Sequence, residues 1–270
     1  MDDFYNFLLI KRGFCDVTVD GYRKVLRKFV REVDIKPTVA QIEDWIAELR
    51  ERKCSNSHIR NSIVILENYG KFLGLDIKLG RMRRNRPIVR DILTEGEVAR
   101  ILAACKNERE KTIISILAYG GVRNSEFCAL RVGDINLEDC YIRVFNGKGN
   151  KDRIVYISRD CVKIVSSYLE QYPREKEEFL ITTLIRGNQY SGWDLRKRVK
   201  ILARRAGVQR RVWPHLFRHS LVSHLISRNC SILTLQNQLG HSNLSTTEIY
   251  IHCFPQRIQA EYAYLVPSYL

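Results

Sequence analysis

The carboxyl-terminal part of the sequence carries several side chains that could do chemistry. The stretch "LGHSNLSTTEIYIHC" places Tyr250 nine positions after His241, and "PHLFRHS" places Arg218 three positions after His215. On a helix, residues three apart project from the same side, so His215 and Arg218 would lie together. A phenol can act as a nucleophile, an imidazole can transfer protons and a guanidinium can bind an anion. Taken alone, His215 and Arg218 are also compatible with a structural hydrogen-bonded pair.

The composition indicates a folded protein with an anionic partner. Apolar residues make up 45% of the chain and charged residues 28%, as is ordinary for folded proteins. Lys and Arg number 45 against 30 Asp and Glu, which gives a formal net charge of +15. A cationic surface gains affinity for nucleic acid by releasing counterions from phosphates, although a basic surface can also serve solubility alone. At 270 residues, two domains are expected.

Segments for export or for spanning a membrane are not expected. The sequence has no run of 18 apolar residues, and its start, "MDDFYNFLLIKRG", opens with acidic residues. The eight cysteines and six histidines show no CxxC pair and no metal-ligand spacing. We therefore expect a cytoplasmic protein with reduced cysteines and without a metal site.

The first 80 residues have the pattern of helices only. The stretch "TVDGYRKVLRKFVREV" has one apolar stripe at helical spacing, with Thr18 as its predicted N-cap. "PTVAQIEDWIAELR" begins with a predicted capping box formed by Thr38 and Gln41. A further helix ends at Gly74, so residues 1–80 are predicted to form a small helical bundle.

Residues 81–91 are predicted to be a basic linker. The stretch "GRMRRNRPIVRD" has five arginines within ten positions and few apolar residues. A phosphate backbone would relieve their mutual repulsion, which favours a linker that contacts DNA over a merely solvated tether. The arginines predicted to bind DNA here are Arg81, Arg83, Arg84 and Arg86.

Residues 92–270 are predicted to form a second domain, mostly helical with a small β-sheet. A capping box of Thr94 and Glu97 opens it, and "TIISILAYGG" is typical of a buried helix closed by Gly120 and Gly121. The runs "CYIRVF" and "RIVYIS" flank the turn-forming "NGKGNKD" and predict a β-hairpin. The predicted fold class is therefore mainly α with a small β-sheet, or α+β.

A basic amphipathic helix is predicted from "DLRKRVKILARRAG". Its apolar side holds Leu195, Val199 and Leu202, and Gly207 ends it. Such a face is often only solvated, but the charge balance of the chain favours a phosphate-binding surface. The residues predicted to bind DNA here are Arg196, Lys197, Lys200, Arg204 and Arg205.

The helix predicted from "PHLFRHS" would hold His215 and Arg218 in place. Its apolar side consists of Phe217, Leu221 and Leu225, which we expect to bury the helix against the rest of the domain. The two polar side chains would then project from another side.

Six polar residues follow one another through the second domain: Arg123 in "GVRNSE", Lys148 in "GKGNKDR", His215 and Arg218 in "PHLFRHS", His241 in "LGHSN" and Tyr250 in "TTEIYIH". In type, order and spacing this set resembles the tyrosine recombinase, or phage integrase, family, and the short carboxyl-terminal half is most similar to its Xer-type members. The resemblance covers nearly the whole chain. It implies a helical, SAM-like core-binding domain at residues 1–80 and a catalytic domain at residues 92–270.

The resemblance implies an enzyme that cuts and rejoins DNA through a 3′-phosphotyrosyl intermediate. Tyr250 is the expected nucleophile. Arg123 and Arg218 are expected to bond the non-bridging phosphate oxygens and to stabilise the charge that grows on them. This arrangement requires no metal or other cofactor.

Proton transfer is assigned by the same resemblance. Lys148, on a glycine-flanked turn, is expected to protonate the leaving 5′-oxygen, with Lys151 of the same turn as its rival. His215 is expected to act as general base or acid. His241 is expected to bind the phosphate or to position the tyrosine.

The implied partner is double-stranded DNA with inverted half-sites, bound by a homodimer on each site and a tetramer in synapsis, in a nucleoid-associated protein. The role is open between resolution of chromosome dimers, integration or excision of a mobile element, and inversion. The last twenty residues would dock on a neighbouring subunit or pack on their own domain. Two alternatives are a type IB topoisomerase-like strand transferase, which relaxes supercoils as a monomer, and a non-catalytic DNA-binding regulator on the same scaffold.

Overall fold

The computed structural model describes residues 1–80, 91–145, 152–183 and 187–240, without the side chain of Val17. The chain divides into two compact units, Met1–Arg86 and Pro87–Leu270. Helices dominate the described parts of both, and the described strands form one three-stranded sheet. The predicted fold class, mainly α with a small β-sheet, is confirmed.

The amino-terminal unit is a helical bundle. Its elements are α1 (Asp2–Asn6, continued by a π-helical turn at Phe7–Lys11), α2 (Asp16–Glu32), α3 (Val39–Glu51) and α4 (Asn56–Phe72). Their apolar sides share one core, in which the rings of Phe29 and Trp45 meet edge to face at 5.2 Å. The predicted capping box is confirmed, since Gln41 N donates to Thr38 Oγ1 and Thr38 N donates to Gln41 Oε1.

The predicted N-cap at Thr18 is wrong. Helix α2 begins at Asp16, and the extended residue before it is Cys15. The Thr18 N–H donates to Cys15 O at 2.9 Å, so Thr18 lies inside the first turn. Two features favour the earlier start: Gly13 adopts a φ of +63°, and the Asp16 carboxylate lies at the positive end of the helix.

The second unit contains the sheet and seven described helices. Its elements are α5 (Glu95–Ala103), α6 (Glu108–Ser115, continued by a π-helical turn at Ile116–Gly120), α7 (Asn124–Ala129), a 3-10 turn (Val132–Asp134), β1 (Ile135–Asn136), β2 (Tyr141–Val144), β3 (Arg153–Tyr156), α8 (Arg159–Gln171), α9 (Gly192–Arg205), α10 (Pro214–Ser227) and α11 (Ile232–Leu239). The predicted capping box at the start of α5 is confirmed by hydrogen bonds in both directions between Thr94 and Glu97.

The predicted hairpin is confirmed in the antiparallel pairing of β2 with β3. Ile142 stands opposite Val155, and both are fully buried, whereas their neighbours Ile154 and Tyr156 are exposed. This alternation follows from the two-residue period of a strand. A further strand, β1, pairs with β2 and was not predicted, because two residues carry no recognisable period. The turn at 146–151 lies outside the described residues.

Helix α6 and its π-helical turn belong to the core of the second unit. The predicted buried helix is confirmed: Ile113, Ile114 and Ile116 have no exposed surface. Gly121 follows in the left-handed conformation with a φ of +60°, so the chain turns sharply there. A Cβ at Gly121 would lie 2.9 Å from Leu221 Cδ2, which fixes how closely α10 approaches this turn.

Helix α10 is buried on more sides than its sequence predicted. Phe217 is buried, as expected, but Leu221 and Leu225 are only partly buried. The other buried apolar residues of the helix are Pro214, Leu216, Val222 and Ile226. The expected single apolar side is therefore wrong, because α10 packs against the π-helical turn, α9 and α11 at once.

Within the described residues, no helix is both long and apolar enough to cross a membrane.

Candidate active site

Arg123 is placed by the turn that follows Gly121. It is the extended residue before α7, and its N–H donates to Glu126 Oε2 at 2.7 Å. Its guanidinium Nη1 meets the other carboxylate oxygen, Glu126 Oε1, at 2.6 Å. One carboxylate therefore holds both the backbone and the side chain of Arg123.

Arg218 reaches the same place from α10. Its residue surface is only 5% exposed, so its charge must be met by hydrogen-bond acceptors. Nη1 donates to Gly121 O at 2.7 Å, and Nη2 donates to Leu239 O at 2.6 Å. The guanidinium thereby joins the turn before α7 to the carboxyl end of α11.

The two arginines meet at the end of α11. Arg123 Nη2 donates to Gly240 O at 3.2 Å, next along the chain from the Leu239 carbonyl that Arg218 bonds. The last carbonyls of a helix have no partner within it and carry its negative dipole end, so they attract cations. Arg123 and Arg218, predicted together from the sequence, are therefore brought together by the fold.

His215 lies in the first turn of α10, one turn before Arg218. Its side chain remains open to solvent, although the surrounding protein partly desolvates the imidazole. This desolvation lowers the pKa of His215 below its ordinary value of 6.5, and the positive charges of Arg218 and Arg123 lower it further. Glu126 opposes the shift. The lowered pKa favours the neutral imidazole, which can accept a proton.

Glu126 and Arg153 belong to this cluster, but the sequence did not single them out. Arg153, the first residue of β3, makes a two-pronged ion pair with Glu126, with both distances 2.7 Å. Glu126 is almost fully buried, which by itself raises its pKa, but the bonds from Arg153 and Arg123 prevail and lower the pKa to about 2. The available signal was weak: a glutamate three residues after Arg123, and an arginine opening an apolar strand.

Three of the six predicted catalytic residues lie outside the described residues. Lys148, His241 and Tyr250 lie outside the described residues, as does Lys151, so their roles stay predictions. The last described residue, Gly240, directly precedes His241. Arg123 and Arg218 thus bond the carbonyls at the point where the chain continues towards Tyr250, and their positive charges act on His215.

The predicted DNA-binding residues divide into two groups. The linker arginines Arg81, Arg83, Arg84 and Arg86 lie outside the described residues. On α9, the predicted residues are all exposed: Arg196, Lys197, Lys200, Arg204 and Arg205. Arg205 also donates to Glu110 Oε2 at 2.6 Å, which attaches α9 to α6. The DNA contacts of both groups stay predictions.

In the part of the chain that the structure describes, no three His, Cys, Asp or Glu side chains are grouped so as to hold a metal ion.

The chain resembles known proteins in both sequence and fold. Residues 91–257 match the model of the phage integrase family. Tyrosine recombinase XerA of Pyrococcus horikoshii is 32% identical over 93% of this chain and 87% of its own length.

Two solved structures resemble the chain as well. A crystal structure of XerA recombinase has 27% identity and a TM-score of 0.58, covering 98% of this chain and 97% of that one. A structure of XerH site-specific recombinase bound to palindromic difH substrate has a TM-score of 0.74 over 92% of this chain and 80% of that one. At 20% identity, the XerH likeness shows the fold alone. With the family match over residues 91–257 and the XerA relative, the chain belongs to the phage integrase family and is an Xer-like tyrosine recombinase, an enzyme that breaks and rejoins DNA strands.

Proposed function

We propose that the protein is a site-specific recombinase that cuts each DNA strand with Tyr250 and holds the cut end as a 3′-phosphotyrosyl intermediate. The observation that carries this proposal is the convergence of Arg123 and Arg218 on consecutive carbonyls at the end of α11. Two guanidinium groups at one place form a binding site for a phosphate, immediately before the segment that contains Tyr250.

Arg123 has the donors that a phosphate needs. A guanidinium has five N–H groups, of which Glu126 and Gly240 each take one in the described contacts. The remaining donors can bond a non-bridging oxygen without disturbing the pair with Glu126. Because the side chains of Arg123 and Arg218 are largely shielded from water, these bonds strengthen as charge grows on the five-coordinate phosphorus.

The proposed cleavage step conserves atoms and charge. The phenol oxygen of Tyr250 attacks phosphorus as the bond from phosphorus to the 5′-oxygen breaks, and the phenol proton passes to neutral His215. Lys148, or Lys151 in its place, gives a proton to the departing 5′-oxygen. In rejoining, a 5′-hydroxyl of the partner strand attacks the same phosphorus and gives its proton to the now neutral lysine, while the phenolate leaves and regains its proton from His215.

Deprotonating the phenol is the main cost of this step. A free phenol titrates near pH 10, so forming phenolate at pH 7 costs about 4 kcal/mol. Arg123 and Arg218 offset that cost by stabilising negative charge at the site. The depressed pKa of His215 supports its role as the base, because a neutral imidazole is present at pH 7.

The proposed partner is double-stranded DNA with two inverted half-sites, bound by a dimer, with a tetramer pairing two such sites. The net charge of +15 and the exposed basic side chains of α9 support a DNA partner. The XerH relative was solved on a palindromic substrate, which supports the inverted arrangement. The proposed role is resolution of chromosome dimers or integration and excision of a mobile element.

The decisive experiment uses a nicked duplex from which the cut end cannot be rejoined. The wild-type protein should become covalently attached and migrate with DNA on a denaturing gel. Tyr250→Phe should bind the duplex with unchanged affinity but attach none. Tyr172→Phe, which removes the hydroxyl of a tyrosine exposed on the carboxyl side of α8, is the matched control and should attach normally.

Three results would contradict the proposal. Attachment of Tyr250→Phe would show that another residue is the nucleophile. Relaxation of supercoiled plasmid by a monomer, without paired sites, would favour the topoisomerase-like alternative. Binding without attachment by the wild-type protein would favour a DNA-binding regulator.

A further inference from the structure

Arg153 makes contacts with two parts of the candidate active site at once. Its Nη1 and Nη2 atoms each lie 2.7 Å from a carboxylate oxygen of Glu126, and its Nε donates to Gln238 O at 3.4 Å. Its side chain is only 9% exposed. The residue therefore joins β3 to the start of α7 on one side and to the end of α11 on the other.

The end of α11 is also packed directly on the Arg153 side chain. Gly240 adopts a φ of +62°, and a Cβ there would lie only 2.5 Å from Arg153 Cδ. The methylene stem of Arg153 thus occupies the space that any other residue at position 240 would need. Gly240 in turn accepts the hydrogen bond from Arg123 Nη2.

Arg153 also changes how Glu126 interacts with Arg123. Glu126 bears one negative charge, and it is shared between the two arginines. The two-pronged geometry with Arg153 fixes the plane of the carboxylate, because a guanidinium fork and a carboxylate match only when they are coplanar. Arg123 consequently meets one oxygen in a fixed direction and keeps its remaining donors for a ligand.

We propose that Arg153 is a positioning residue for strand cleavage, which holds the Arg123 guanidinium and the carboxyl end of α11 in the arrangement that the phosphate and Tyr250 require. The proposal rests on the proposed function. Arg153 itself need not touch DNA, because it acts through Glu126 and through the carbonyl of Gln238.

The alternative is that this ion pair only contributes to folding. A buried ion pair can often be replaced without loss of fold, and one partner left alone destabilises the protein. The two possibilities differ in what they predict for the chemical step. A positioning role predicts slow cleavage by a folded, DNA-bound variant, since small displacements of a catalytic group are costly in rate.

The test compares Arg153→Met, which keeps an apolar stem, with Arg153→Lys, which keeps the charge but loses the fork. Arg210→Met is the matched control, because Arg210 makes a two-pronged pair with Glu97 that takes no part in this cluster. For each protein, three quantities are measured below its unfolding temperature: affinity for intact duplex, the single-turnover rate of attachment to the nicked duplex, and amide hydrogen exchange.

The expected result separates rate from affinity. Arg153→Met should attach about 100-fold more slowly, with an affinity for intact duplex within about threefold of the wild type. Arg153→Lys should recover part of the rate, and Arg210→Met should attach at nearly the wild-type rate. The Gly240 amide, bonded to Gln236 O, should exchange faster in Arg153→Met but not in Arg210→Met.

Several results would overturn the proposal. One is attachment by Arg153→Met at the rate of the control, and another is a loss of rate matched by an equal loss of affinity. A third is no recovery at all with Arg153→Lys. If the wild-type protein attaches no DNA, the proposed function fails. The hydrogen-exchange measurement still tests Arg153 independently: an unchanged exchange rate of the Gly240 amide in Arg153→Met would show that Arg153 does not stabilise the end of α11.

Discussion

The side-chain amide of Gln238 bonds both backbone polar groups of Tyr156: Gln238 Nε2 donates to Tyr156 O at 2.8 Å, and Tyr156 N donates to Gln238 Oε1 at 3.0 Å. The amide bonds Tyr156 as a residue of a neighbouring strand would. The last residue of β3 therefore has a hydrogen-bond partner for both of these backbone groups. Because the same residue's carbonyl accepts from Arg153, α11 is fixed to the sheet at two points.

Gln238→Met should destabilise the protein by about 1–3 kcal/mol, since it leaves the N–H and carbonyl of Tyr156 without their partner. The measurement is the free energy of unfolding by urea. Gln236→Met is the control on the same helix, because the described residues offer no hydrogen bond to the Gln236 side chain. Equal stability of the two variants would contradict the role given to Gln238.

Arg218→Lys should lower the rate of covalent attachment about 100- to 1000-fold, the usual cost of losing one charge-stabilising donor group. A lysine ammonium cannot bond Gly121 O and Leu239 O in the planar geometry of the guanidinium and also meet a phosphate. Arg228→Lys, at the exposed end of the same helix, is the control. A loss of less than tenfold would argue against the two-arginine site.

Glu126→Gln should remove part of the pH dependence of stability. The pKa of Glu126 falls from 4.5 to about 2 on folding, so its charge stabilises the fold above pH 4.5, and this contribution disappears as the pH falls towards 2. A shift of this size corresponds to roughly 3 kcal/mol. The difference in unfolding free energy between wild type and variant should therefore be smaller at pH 3 than at pH 6, and the decrease should not exceed roughly 3 kcal/mol. A constant difference would show that the Glu126 pKa is not depressed.

The rate of covalent attachment should rise with pH through an apparent pKa below 6.5 and then level off. The cause is His215, whose lowered pKa makes it neutral, and able to take the phenol proton, over a wider range than a free imidazole. His215→Gln should lower the plateau and abolish this acid limb, whereas His58→Gln, on α4 of the other unit, should keep both. If the attachment rate of His215→Gln still fell at acid pH, the titrating group would be a residue other than His215.

The same pKa shift has a consequence for folding. A histidine with a lowered pKa in the folded state favours the fold when it is neutral. Its contribution is complete above about pH 6.5 and is lost as the pH falls through the lower, folded-state pKa. Stability should therefore decline on the acid side, and His215→Gln should reduce that part of the decline.

Features set by neighbouring residues were predictable from the sequence. The capping boxes at Thr38 and Thr94 depend only on residues three positions away, and the hairpin follows from alternation and turn chemistry. Thr18 shows the limit of such reasoning. A threonine before an apolar stripe resembles an N-cap. The helix nevertheless starts earlier, at Asp16, shortly after Gly13 turns the chain with its positive φ.

Features set by distant residues were not predictable in this way. Glu126 and Arg153 are 27 positions apart, and Gln238 is 85 positions from Arg153. Nothing in their local patterns distinguishes them from solvated polar residues, and only the packing of β3 between α7 and α11 brings them together. The prediction for α10 named too few buried residues for the same reason: the sequence suggests an amphipathic helix, but neighbouring elements bury it on several sides.

Gly240 is held in place by side chains from other parts of the domain, so the segment that follows it starts from a fixed position. Three guanidinium groups, from Arg153, Arg218 and Arg123, hold the carbonyls of residues 238, 239 and 240. Tyr250 is ten residues further on, and a chain of that length can extend at most about 35 Å. Adding or removing residues between 241 and 249 would therefore change how far the phenol can reach, whereas the proposed phosphate site of Arg123 and Arg218 would keep its position.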